Sequence, residues 1–155
     1  MINHPRKGLR RFMFRAPIWF YRVGLGWLFG SRFLLLNHIG RKSRLPRQTV
    51  LEVVRHNPET DTYIIAAGWG EQSDWLRNIQ YTPNVMVMTG RRRFEATATR
   101  LYAEEARQEA RRYAQDHPTA FRTLAGKLIE QPLSGTDEDY WIFAEKIPFI
   151  ALHPR

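Results

Sequence analysis

A chain of 155 residues, 43% apolar and 13% aromatic, holds enough material for one ordinary globular domain with a sizeable core, and too little for two. It has no cysteine, which excludes disulfides, zinc–thiolate and iron–sulfur sites and a cysteine nucleophile, and which fits a reducing cytoplasm. The net charge of +9 sits in the first third: residues 1–51 carry eleven Arg and Lys with no Asp or Glu, so the partners of that third are anionic.

Residues 8–29 read as a helix, with a break near Pro17 and glycines weakening its end. Its longest uncharged run, Val23 to Ser31, is far short of the ~20 apolar residues that a membrane span needs. Arginines among Trp19, Phe20, Tyr21, Trp27 and Phe29 fit an interfacial helix making peripheral membrane contact; they fit equally well a helix docked on its own domain or on a partner subunit. The expected division is a basic aromatic segment over 1–30 and a folded domain over 31–155.

Arg32 to Ile39 is a short apolar run, and the spacing predicts a strand there. After the turn Gly40–Pro46, Gln48 to Arg55 reads as a second strand. The turn chemistry of His56–Asp61 then leads to a third strand over Tyr63 to Ala67. Gly68 to Gln72 is too rich in glycine for a regular element. Ser73 is a reasonable N-cap for a short helix over Asp74 to Tyr81, which Pro83 stops. Val85–Met88 and Arg93–Tyr102 form a second hairpin. The alternation Phe94, Ala96, Ala98, Leu101 slips by one residue, which predicts a bend or bulge in that strand. Helices follow over Glu104–Asp116, Thr119–Glu130 and Asp137–Lys146, with a closing strand over Ile147–Leu152. Hairpins with helices inserted and appended indicate an antiparallel sheet or barrel in an α+β domain.

No phosphate-binding P-loop and no G-x-S-x-G elbow is present, and the five histidines lack metal-ligand spacing, so no metal site is expected. The densest local signal is the turn GRKSRLPR. Gly40 permits a tight backbone, Arg41, Lys42 and Arg47 offer charged donors, and Ser43 adds a hydroxyl suited to a phosphate oxygen. On spacing alone the turn is either an anion nest or a solvated loop. In AAGWG, the small residues Ala66, Ala67, Gly68 and Gly70 let a flat ring approach the backbone. Trp75 and Asn78 share a face of the next helix, as a ligand wall and polar contact or as core and cap. Arg91-Arg92-Arg93 reads as a solvated hairpin tip, and no nucleic-acid module is recognisable.

Taken in order, the apolar strand, GRKSxxPR, the hairpin, A-A-G-W-G, S-D-W-x-x-N, P-x-V and G-R-R resemble the deazaflavin (F420)-dependent nitroreductase family. The resemblance runs from about Phe33 to Arg100, and Lys146 to Ile150 is similar to the family's last strand. It implies a split β-barrel of the FMN-binding superfamily, with an N-terminal helix and peripheral helices, and it implies homodimerisation. It also implies the cofactor F420, with FMN as the alternative that the same basic nest would suit. By resemblance, Arg41, Lys42, Ser43 and Arg47 bind the phosphate region, with Thr49 on the strand beyond. Ala66, Ala67, Gly68, Trp69 and Gly70 pack on the deazaflavin, and Trp75 and Asn78 match the W-x-x-N that follows. The implied activity is hydride transfer between the deazaflavin and a small hydrophobic acceptor such as a quinone, enone or nitro compound. Family nitroreductases carry clustered tyrosines before the last strand; here only Tyr140 stands there, beside Trp141, and it is the one candidate proton donor.

Overall fold

The structure, a computed structural model, describes residues 30–128 and 135–155; the helix expected over 8–29 lies outside the described residues. Six strands are formed among them: β1 (Phe33–Ile39), β2 (Pro46–Asn57), β3 (Thr62–Ala66), β4 (Asn84–Thr89), β5 (Arg92–Arg100) and β6 (Phe149–Pro154). They close into an antiparallel barrel in the order β1-β2-β3-β6-β5-β4. Helix α1 (Asp74–Tyr81) follows β3, and α2 (Ala103–Asp116), α3 (Pro118–Leu128) and α4 (Asp137–Lys146) lie between β5 and β6. This is the α+β split barrel that the resemblance implies.

Period-two alternation sorts the side chains into two cores. Leu34, Leu36, Tyr63, Ile65, Val87 and Leu152 fill the barrel, and Trp75, Leu76 and Ile79 of α1 pack into the same cluster. Residues one step out of phase, Ile64, Phe149 and Ala151, meet Ala110, Phe121, Ala125 and Phe143 of the helical layer. Each fully buried Leu, Ile or Phe contributes about 1.5–3 kcal/mol by leaving water, so both layers hold the fold.

Two local expectations are corrected. The bulge lies in β2, where Val53 faces Ile65 but Arg55 faces Ile64, leaving Val54 unpaired and turned to the outer cluster. β5 keeps an unbroken register with β4 and β6. Its pattern slips at Leu101 because the strand has already ended at Arg100, and Leu101 turns toward the helices. At the start of α1, Ser73 occupies the N-cap position, but its hydroxyl donates to the Gly70 carbonyl at 3.0 Å instead of accepting from the helix.

The register also fixes which segments meet. Ile39 faces Pro46, Asn37 faces Met86, Ala66 faces Phe149 and Arg100 faces Ile150. One end of the barrel, the upper end, therefore gathers the β1–β2 turn, the loop after β3, α1, the end of β5 and the start of β6. The lower end holds the β2–β3 and β4–β5 turns. The described chain also enters there: the Gly90 amide donates to the Gly30 carbonyl at 3.0 Å.

Candidate functional site

The β1–β2 turn is closed by its own backbone. Gly40 N–H donates to the Leu45 carbonyl at 2.9 Å, and Arg44 N–H donates to the Gly40 carbonyl at 2.8 Å. Arg44 adopts the left-handed conformation, φ 60°, which turns the chain back toward β2. A Cβ on Gly40 would stand 2.6 Å from Ser43 Oγ, so the turn has room for glycine alone unless Ser43 moves. Ser43 Oγ in turn accepts from Leu45 N–H at 3.3 Å and from Arg47 Nη2 at 3.5 Å.

The four cations of the turn differ in how they are held. Arg41 is committed to α1: its main-chain N–H and its Nη1 both donate to Asn78 Oδ1, at 3.0 and 2.9 Å, and Nη2 reaches Asp74 at 3.2 Å. Arg44 donates to Thr82 Oγ1 at 3.0 Å and lies over the Tyr81 ring. Lys42 is exposed and, among the described residues, without a partner. Arg47 is exposed at the mouth and faces His38 across the β1–β2 ladder. Thr49 lies two residues further along the same face of β2, opposite Leu36 of the interior. Asp74 is the single carboxylate that answers these four cations among the described residues.

The AAGWG loop reaches the same upper end. Ala67 N–H donates to the Pro148 carbonyl at 2.9 Å, which pins the loop to the chain entering β6. Gly70 has φ +72°, and a Cβ there would meet the Lys146 carbonyl at 3.1 Å. Glycine is thus required on two counts. Gly68 leaves only ordinary contact distance to Leu124, and Trp69 is exposed beside it. Arg100 at the end of β5 grips Glu71 with both terminal guanidinium nitrogens, holding the loop from the other side.

Other sequence-derived residues sit differently. Trp75 is buried in the barrel core, where it plugs the upper end. Asn78 is 5% exposed, with its amide occupied by Arg41 and His38. Both therefore brace the turn and loop from beneath. Tyr140 belongs to the helical layer, edge-on to Phe121, and among the described residues no hydrogen bond joins it to the turn or the loop. The Arg91-Arg92-Arg93 tip lies at the lower end and is not a plain solvated run: Arg92 holds Asp61 with both terminal nitrogens at 2.9 and 2.8 Å.

Sequence reasoning missed His38. Its signal was present: Leu34, Leu36 and His38 alternate on the inward face, so the histidine ends an apolar row. It is 4% exposed, and burial, reinforced by the Arg47 charge, pushes its pKa down to about 4 despite the opposing pull of Asp74.

A closed antiparallel barrel of this strand order is a split barrel, and its upper end is basic and rimmed by aromatic side chains. The chain belongs to the F420H(2)-dependent quinone reductase family, whose model matches residues 14–131. It is therefore an F420-dependent oxidoreductase by family. Its barrel is similar to that of an F420-H2 dependent reductase, FDR-A, with 21% identity, 80% of this chain and 96% of the other covered, and a TM-score of 0.54. It is also similar to HutZ, the heme storage protein from Vibrio cholerae, at 14% identity over 83% of this chain and 85% of that one, TM-score 0.56. A third match is Atu2129 from Agrobacterium tumefaciens, of unknown function, at 18% identity over 99% of this chain and 57% of the other, TM-score 0.57. Likeness at these identities shows the fold alone. No curated protein matches the chain. The family's dependence on F420H(2) leaves the FMN alternative without support.

The donor set suits F420. A phosphate with an oligoglutamate tail needs several cations free of competing carboxylates, and the β1–β2 turn supplies Lys42 and Arg47 with the Ser43 hydroxyl beside them, on a backbone closed tightly at Gly40. No described helix is long and apolar enough to cross a membrane.

Proposed function

We propose that the chain binds F420 with its phosphate at the Gly40–Arg47 turn and its ring against the Ala66–Gly70 loop, and that the reduced cofactor is oxidised by a quinone. The observation that carries this reading is the meeting of an almost acid-free basic turn and a glycine-pinned loop at one end of the barrel. When bound, reduced F420 supplies a hydride from C5, and a quinone that takes it with one proton becomes a hydroquinone. Lys42, Ser43 and Arg47 hold the anion. Ala67 and Gly68 offer a flat backbone surface, and Trp69 provides an aromatic edge. Asn78 and Trp75 keep these segments in place from below.

The acceptor is a flat, apolar molecule. Of the five large hydrophobic side chains exposed among the described residues, four, Leu45, Trp69, Tyr81 and Tyr102, belong to segments that meet at this same end. Quinones match that rim best, with enones and nitro compounds as the competing acceptors. No side chain is assigned the proton; Tyr140 is the candidate to test.

Residues 31–155 form the cofactor-binding unit in this reading, and the basic aromatic segment 1–30 makes peripheral contact with a membrane surface. The resemblance also carries homodimerisation, which sedimentation velocity tests. The catalytic reading is tested by mixing purified protein with reduced F420 and a soluble quinone and following the return of deazaflavin absorbance. Turnover with quinone supports it; binding of F420 without turnover of quinone, enone or nitro acceptors overturns the enzyme reading.

A further inference from the structure

Asn78 joins three elements through one amide. Its Oδ1 accepts two N–H bonds from Arg41, so the amide cannot flip without setting Nδ2 hydrogens against two donors. Nδ2 is then fixed as the donor facing His38 Nδ1 at 3.1 Å. For that contact to be a hydrogen bond, His38 Nδ1 must be a bare acceptor, with the proton on Nε2. We propose that His38 and Asn78 are positioning residues for the anion: neutral His38 fixes the Asn78 amide, and Asn78 sets the backbone and guanidinium of Arg41 so that the turn is formed before the ligand arrives. This rests on the reading of the turn as the cofactor's phosphate grip.

The surroundings support it. His38 closes the inward row of β1 beneath α1, where little water can substitute for a lost partner. The charged groups acting on it are Arg47 from β2 and Asp74 from α1. Burial and Arg47 oppose an imidazolium, and Asp74 favours one. A proton on Nδ1 would oppose two donors across the contact, and Asn78 has no second orientation that satisfies Arg41. Preorganisation of this kind strengthens binding by removing the cost of ordering the turn, without adding a contact to the ligand.

The test uses the full chain and two readouts. Imidazole nitrogen shifts near neutral pH are expected to show His38 bare at Nδ1 and protonated at Nε2, and to reverse that pattern in Asn78→Asp, whose carboxylate accepts. F420 titration is expected to give about a tenfold or greater loss of affinity in His38→Leu, which keeps bulk but removes the acceptor. In His38→Asn, which keeps an acceptor near the Nδ1 position, the loss is expected to stay within about threefold. At saturating F420, kcat of His38→Leu changes far less than Kd, and circular dichroism confirms that each variant folds. A His38→Leu variant that binds like wild type overturns the proposal, as does an Nδ1-protonated His38 in the wild type. Equal losses in His38→Leu and His38→Asn overturn it too, since bulk or fold would then explain both. If the wild type itself fails to bind F420, the reading of the turn and this proposal fall together, whereas wild-type binding with an unaffected His38→Leu overturns the proposal alone.

Discussion

Gly40 and Ser43 are packed so closely that a Cβ on the glycine would lie 2.6 Å from the serine hydroxyl. Ser43 Oγ is also the acceptor for Leu45 N–H and Arg47, so relieving the clash by rotating Ser43 releases both. Gly40→Ala is therefore expected to weaken F420 binding about tenfold while costing only about 1 kcal/mol of stability, because the disturbance is confined to an exposed turn. Fluorescence titration and chemical denaturation of the same preparation check the two halves of that statement.

At the lower end, Arg92 ties β5 to the β2–β3 turn through Asp61, donates to the Tyr63 hydroxyl at 2.9 Å and lies over Phe94. His56 completes the cluster by stacking on Tyr63 at 4.1 Å. Arg92→Ala is expected to lower the melting temperature yet leave the F420 Kd unchanged within about twofold, since nothing in this network reaches the turn. A comparable fall in cofactor affinity would contradict the separation of the two ends.

The buried Glu109 of α2 is held by Arg55 through two hydrogen bonds and by Arg112 through one at 3.0 Å. Arg55 follows the β2 bulge, so this contact anchors the helical layer to the irregular part of the barrel. Removing Arg55 leaves a carboxylate that is 3% exposed with its weaker partner, whereas Arg112 is half in water. Arg55→Met should cost about 3 kcal/mol and Arg112→Met about 1 kcal/mol or less. Urea unfolding midpoints of the two variants give the comparison.

His38 makes stability depend on pH in a defined window. Its folded pKa of about 4 lies below its ordinary value of 6.5, so the unfolded chain binds the proton first as pH falls. Stability is therefore full above about pH 6.5 and declines toward pH 4, by about 3 kcal/mol. Asp61 acts in a lower window. Hydrogen bonds from Arg92 and then His56 hold its carboxyl well below the usual carboxylate range, so its contribution is lost only as pH falls below about 4. Unfolding curves at stepped pH should show the decline above pH 4 in wild type and its absence in His38→Asn.

Most strands were legible because short apolar runs such as Leu34–Leu36 and Tyr63–Ile65, buried on both faces, are bounded by turn chemistry. The basic turn was legible because its residue types are its chemistry. What failed to show was long-range. The bulge at Val54 answers to β3 and the helical layer, neither of which is near it in sequence. The His38–Asn78 contact spans forty residues, and Arg92–Asp61 spans thirty-one, so no local pattern announces either. Taken singly in sequence, Trp75 reads better as core than as a ligand wall, and the closure of the barrel beneath α1 places it in the core.

The central claim, that the Gly40–Arg47 turn grips the cofactor, is met most directly by titrating F420 into wild type, a Lys42→Ala, Arg47→Ala pair and an Arg91→Ala, Arg93→Ala pair. Both double variants remove exposed cations at or beside a hairpin turn, at opposite ends of the barrel. Binding at micromolar concentration is expected in wild type, with about a tenfold or greater loss in the upper-end pair and a value near wild type in the lower-end pair. Equal losses in the two pairs, or no binding by wild type, would contradict it.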